Sequence, residues 1–218
     1  MKTIEEIAHY YATDKRMMDH GFTKFYEKHF ESRRNQKLNI CEIGILNHPD
    51  KVNRPFEGAS LLMWRDYFHN SGIIGIDIND HSSLNQERIR TYIADQGDRR
   101  QLRSLFQDKQ VDIIIEDGSH FMHHQQISLG TLFYNVKPGG IFVIEDLHTS
   151  HLDMLPSFSR NSEETVTLDM LQKFNKTGII ESNCMTVEEV TYLNENISEC
   201  VIETANMSEI AFIYKKNK

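Results

Sequence analysis

Three cysteines stand in 218 residues, and no two are close in the chain. Cys41, Cys184 and Cys200 therefore make no disulfide framework and suit a reducing, cytoplasmic setting. Basic charge is also in short supply. Lys and Arg number 24 against 32 Asp and Glu, a net charge of -8, which leaves no excess of cations to replace counterions along a phosphate backbone. Nucleic acid is not an expected partner. Arg99, Arg100 and Arg103 form one local basic cluster and read as a solvated helix face. The longest apolar runs, 111–115 and 141–144, fall far short of the roughly 20 residues that span a bilayer, so no membrane partner is expected. The N-terminus has two early glutamates and no apolar h-region, which argues against a secretory signal. No internal repeat, low-complexity tract or linker interrupts the chain. What remains is a globular composition, 39% hydrophobic and 26% charged, expected to form one domain over 1–218.

Hydrophobic periodicity divides the chain. Residues 3–11 carry apolar side chains at helical spacing behind Thr3, with Glu6 three residues on as a capping box. A second helix is expected over 23–30. The pattern then changes to short apolar runs without polar alternation: 38–44, 73–77, 90–94, 111–115 and 141–144. Helical stretches at 58–68, 98–106 and 121–136 separate them. A polar loop with Pro49 and Pro55 covers 47–57, and Lys137-Pro138-Gly139-Gly140 reads as a tight turn. Strands buried on both faces and separated by helices predict an α/β fold, a doubly wound, mostly parallel sheet. In the tail, a helix is expected over 162–174. Strand-like runs at 200–204 and 210–214 flank Asn206 and predict a closing antiparallel hairpin, for seven strands in all. The layout is a helical segment (1–36), a core (37–150) and a lid with hairpin (151–218), the lid over 152–161.

In such a sheet, ligands meet the carboxyl ends of the strands, and here those ends are acidic. They read Glu42-Ile43-Gly44, Asp77, Asp95-Gln96, Glu116-Asp117-Gly118-Ser119-His120 and Glu145-Asp146-Leu147-His148. Asp77 is placed to accept from the hydroxyls of a ribose, and Asp95 and Gln96 to reach adenine or sugar; Asp77 and Asp95 also read as helix caps. The fingerprint G-x-G-x-x-G is missing, which disfavours a nicotinamide enzyme. Glu42 two residues before Gly44 instead suits a cofactor with a cationic amino-acid end and no pyrophosphate, such as S-adenosylmethionine. Asp117, Glu145 and Asp146 would repel one another unless a hard divalent cation joined them; a helix cap and solvated acids explain them equally well. His120 is the candidate general base, and no Cys/His tetrad points to zinc.

These residues occur in an order that resembles the macrocin and mycinamicin sugar O-methyltransferases and their cephalosporin-hydroxylase-like relatives. The likeness is carried by Glu42-Ile43-Gly44, the segment Gly58-Ala59-Ser60-Leu61-Leu62-Met63-Trp64, Gly75-Ile76-Asp77, Ala94-Asp95-Gln96, Asp117-Gly118-Ser119-His120, Lys137-Pro138-Gly139-Gly140 and Ile144-Glu145-Asp146-Leu147-His148. Thr13-Asp14-Lys15, His20 and Tyr26 belong to it too. The resemblance extends to about Ser150 and implies a class I, Rossmann-like methyltransferase. It implies S-adenosylmethionine held by Glu42, Gly44, Ser60, Asp77, Asp95, Gln96 and Asp117. It also implies Mg²⁺ (or Mn²⁺) on Asp117, Glu145 and Asp146, with His120 as the base for a sugar or glycoside acceptor, in a homo-oligomer. Glu116 and His151 depart from the residues common in that group, Asp and an aromatic. A catechol-type O-methyltransferase and a non-catalytic cofactor-binding module are the competing readings.

Overall fold

The computed structural model describes residues 1–45 and 55–218. The expected loop 47–57 therefore lies mostly outside the described residues. Seven strands form a single sheet in the order β3-β2-β1-β4-β5-β7-β6. They are β1 (Asn39–Ile43), β2 (Gly72–Asp77), β3 (Ile89–Ile93), β4 (Val111–Glu116), β5 (Val136–Ile144), β6 (Ile197–Thr204) and β7 (Glu209–Lys215). The first five run parallel, and β7 pairs antiparallel with both β5 and β6, as the hairpin expectation requires.

Alternate residues of the buried strands feed two hydrophobic layers. On one face, α1 (Ile4–Tyr11), α2 (Thr23–Phe30) and α3 (Ala59–Tyr67) bring Ile7, Tyr26, Phe30 and Trp64 against Ile113, Ile115, Val143 and Phe212. On the other, α4 (Arg99–Phe106), α5 (Met122–Leu132), α7 (Thr167–Thr177) and α8 (Val187–Asn196) bring Leu102, Leu129, Leu171 and Leu193 against Ile114, Phe142, Ile144 and Ile213. A short α6 (Leu155–Phe158) precedes α7. Thr3 caps α1 with the capping box that Glu6 predicts.

Three expectations change. Lys137 to Gly140 do not turn the chain but lie within β5, where Val136 pairs with Val111 and Ile141 with Ile113. The extra residues form an irregularity, with Gly139 at φ 70°. The tail helix begins at Thr167 and ends at Gly178, a left-handed cap, and a second helix α8 follows behind the capping box of Thr186 and Glu189. Arg99 and Arg103 do not form a merely solvated face: both donate to Glu189, which is fully buried on α8. Among the described residues, no helix is long and apolar enough to cross a membrane, and all three cysteines are free and buried.

Lys215 closes the far end of α5. Its buried ammonium donates to the carbonyls of Phe133 (2.8 Å), Tyr134 (3.3 Å) and Val136 (2.7 Å), the end of the helix where cations are favoured. Burial pulls its pKa from 10.5 down to about 8. The unfolded chain thus holds the extra proton between those values, and stability rises with pH across that window. Urea unfolding at both pH values should show wild type gaining on Lys215→Met by up to about 3 kcal/mol. A constant gap would mean that the carbonyls hold the ammonium charged throughout.

Candidate active site

A cleft of about 790 Å³ opens along the carboxyl ends of β1 to β5. Gly44, Asp77, Asp95, Gln96, Asp117, His120 and Asp146 all line it. Gly44 is required by its surroundings. Its φ is +95°, and a Cβ there would stand 2.0 Å from the Asp117 carbonyl oxygen. That close approach of the chain just past β1 to the chain just past β4 leaves no room for a side chain, and Gly118 is confined likewise by Gln96, where a Cβ would meet Oε1 at 1.8 Å.

Neither Asp77 nor Asp95 caps a helix. Asp77 accepts from the backbone of Ile45 (2.9 Å) and Asn79 (2.8 Å). Asp95 accepts from Gly97 N (2.8 Å), while Asp98 is the true N-cap of α4. Gln96 spends its amide on the cleft wall, donating to Glu116 (2.7 Å) and accepting from Ser119 N (2.8 Å).

The expected carboxylate trio divides into two sets that share Asp117. On the cleft side, ligand atoms of Asp117, His120 and Asp146 lie within 4.8 Å of one another; behind them, so do those of Glu42, Asp117 and Glu145. Lys15 sits in the rear set. Its ammonium is 2.5 Å from Asp117 Oδ2, 2.8 Å from Glu145 Oε1 and 3.3 Å from Glu42 Oε1, and the side chain is 1% exposed. Tyr26 also donates to Glu145. Glu145 thus lies in the rear set with Lys15 and Tyr26, while Asp117 and Asp146 line the cleft. Glu42 and Ser60 stand beside the rear set: Ser60 Oγ donates to Glu42 (2.7 Å), whose Oε1 is 3.3 Å from the Lys15 ammonium.

Asp146 anchors the cleft side. His20 Nδ1 is 2.8 Å from Oδ1, His148 Nδ1 is 3.6 Å from the same oxygen, and His120 Nε2 is 3.6 Å from Oδ2. His148 is itself tied to Ser208 (2.9 Å). Asp146 and His120 both adopt left-handed backbone, at φ 54° and 59°. Two strained non-glycine residues facing each other across a cleft mark a site whose geometry is held at a cost.

Burial, reinforced by Asp117, pushes Glu145 well above the usual carboxylate range, and burial raises Asp117 and Glu42 despite Lys15. Asp146 goes the other way: burial opposes it, but the His20 hydrogen bond and the charges of His120 and His20 hold it low. His20 is correspondingly raised by its bond to Asp146. Lys15 stays charged because Asp117, Glu145 and Glu42 outweigh its own desolvation. Carboxylates crowded in this way offer oxygen donors, and the set fits a divalent cation on the oxygen atoms of Asp117 and Asp146. Lys15 and His20 are the site members that periodicity missed; only the motif order Thr13-Asp14-Lys15 with His20 signalled them.

No protein-family model matches the chain. It is 39% identical over 163 residues to the demethylmacrocin O-methyltransferase of Streptomyces fradiae, which covers 73% of this chain and 39% of that protein. It is 39% identical over 151 residues to the mycinamicin VI 2''-O-methyltransferase of Micromonospora griseorubida, covering 68% and 37%. Its fold superposes with a TM-score of 0.81, at 30% identity, on the MycE methyltransferase of the mycinamycin pathway in complex with Mg, SAH and mycinamycin VI, over 99% of this chain and 55% of that one. The chain thus spans about half or less of the length of these relatives. In sequence and in fold, the chain is a homologue of the macrocin and mycinamicin sugar O-methyltransferases, built on the Rossmann-like architecture of class I S-adenosylmethionine-dependent methyltransferases.

Proposed function

We propose that the protein transfers a methyl group from S-adenosylmethionine to a sugar hydroxyl of a glycoside, nucleotide sugar or glycan precursor, with a divalent cation at the acceptor. The observation that carries this reading is the meeting of Asp117, His120 and Asp146 at one end of a cleft whose remaining wall offers Gly44, Asp77 and Asp95 to an adenosine cofactor. A glycine floor, an acidic group at the end of β2 and a sequence without G-x-G-x-x-G suit a nucleoside with a charged amino-acid end. Asp117 and Asp146 would hold Mg²⁺ or Mn²⁺; Glu145 joins them only if Lys15 withdraws. A cation there lowers the pKa of a hydroxyl bound to it.

The chain's own groups do the rest. His120 takes the hydroxyl proton, and Asp146 opposite it steadies the imidazolium that results. His20 and Ser208, through His148, fix Asp146 from two further sides. Lys15 holds Asp117 from behind, so that its carboxylate is preorganised. Residues 152–161, expected to be a lid, contain α6, whose Phe158 ring lies 5.9 Å from Phe121, the neighbour of His120. This segment would cover the acceptor and exclude water. The unpaired buried cysteines suit a cytoplasmic setting. Exposed Tyr92 and Ile93 on the edge strand β3 suit a contact between copies of the chain.

The test is methyl transfer from labelled S-adenosylmethionine to glycosides with vicinal hydroxyls, against simple catechols, with and without Mg²⁺. Metal-stimulated labelling of a glycoside is expected. Labelling of catechols alone would reassign the acceptor to an aromatic diol.

A further inference from the structure

His81 plays no part in the chemistry described so far, yet it is built into the same cleft. It follows β2 by four residues, is 5% exposed, and lines the cavity beside Asp77 and Glu57. Its Nδ1 lies 2.8 Å from Glu57 Oε1. A carboxylate only accepts, so Nδ1 carries a proton and donates it to Glu57. Nε2 is buried, has no hydrogen-bond partner among the described residues, and stands 3.6 Å from Asp77 Oδ1. A buried ring nitrogen without a partner carries a desolvation cost that a ligand hydroxyl, which can donate or accept, would relieve.

Asp77 explains why a second ribose contact is needed. A carboxylate has about four hydrogen-bonding positions. Three are taken, by Asn79 N and Asn79 Nδ2 on Oδ1 and by Ile45 N on Oδ2. Asp77 can therefore accept from one more hydroxyl, whereas a ribose presents two neighbouring ones. We infer that His81 is the second ribose contact: one hydroxyl of the cofactor donates to Asp77 and its neighbour hydrogen-bonds His81 Nε2. Glu57 is the positioning residue that fixes the His81 ring through Nδ1. This rests on the adenosine-cofactor reading proposed above and replaces a two-hydroxyl grip by Asp77 alone.

Calorimetric titration of S-adenosylhomocysteine and its 2′-deoxy and 3′-deoxy analogues tests it, on wild type and on His81→Phe, which keeps the ring shape and removes the nitrogen. Wild type should bind each deoxy analogue about five- to tenfold more weakly than the parent. His81→Phe should lose a similar factor for the parent and bind the parent and one of the two analogues equally. Parental affinity unchanged in His81→Phe, or both deoxy penalties intact in it, overturns the inference. The analogues also serve if the variant does not fold: a deoxy analogue that binds wild type as tightly as the parent overturns it without any substitution. Failure of folded wild type to bind S-adenosylhomocysteine at all overturns the cofactor reading itself, and His81 with it.

Discussion

Replacing Lys15 with methionine is expected to lower the free energy of unfolding by about 3–5 kcal/mol, the cost of stranding buried charge. Methionine fills most of the space of the lysine stem, so packing changes little. What disappears is the ammonium that touches Asp117, Glu145 and Glu42 in a site closed to water. The loss should depend on pH in a definite direction. Burial raises Glu145, Asp117 and Glu42, and these groups take up protons as the pH falls. The gap between wild type and variant should therefore narrow toward acid pH and widen above neutrality. Glu145→Gln in the Lys15→Met background removes one of the stranded charges and should recover part of the loss, a coupling that a double-mutant cycle measures directly. Mg²⁺ should stabilise Lys15→Met more than wild type, because it can then enter the rear set. Equal stability of Lys15→Met and wild type at neutral pH would show that the cluster is not held by its charge pairing.

His120→Ala should reduce methyl transfer by about 10²–10⁴-fold, the usual contribution of a positioned base, while leaving S-adenosylhomocysteine binding within about twofold of wild type. The expectation follows from placement. His120 sits past the end of β4 with left-handed backbone, its Nε2 facing Asp146 on the cleft side, whereas Asp77 and Asp95 stand at the ends of β2 and β3. Turnover and cofactor affinity should therefore separate. Steady-state kinetics with a glycoside acceptor, paired with calorimetry, reads both. A variant with full turnover would remove His120 from the mechanism; one that loses cofactor binding equally would make it a structural residue of the floor.

Much of this architecture is visible in the sequence because the parallel strands are buried on both faces and read as unbroken apolar runs. Ile73 to Asp77 and Val111 to Glu116 are examples, and their polar ends announce the cleft. Lys137-Pro138-Gly139-Gly140 misleads because glycine and proline signal a turn equally well when they form an irregularity inside a strand. Thr186 and Glu189 carry a readable capping box, but Asn183 and Cys184 before it lack periodicity, so α8 escapes notice. Arg99 and Arg103 look solvated because their partner Glu189 lies at least 86 residues away.

The site divides along the same line. Asp117, His120 and Asp146 are legible because the ends of neighbouring strands must meet. Lys15 is not. It stands in a break between two helices, and its partners Asp117 and Glu145 are 102 and 130 residues distant. No local pattern predicts that a loop lysine will be folded beneath the sheet edge, against Asp117, Glu145 and Glu42.

The most direct measurement is calorimetric titration of S-adenosylhomocysteine into the protein with and without Mg²⁺, followed by Mg²⁺ titration of Asp117→Ala and Asp146→Asn. The structure predicts cofactor binding by wild type, a Mg²⁺ isotherm in its presence, and loss of that isotherm in both variants with cofactor binding retained. Folded wild type that binds no S-adenosylhomocysteine, or Mg²⁺ binding unchanged in both variants, would contradict it.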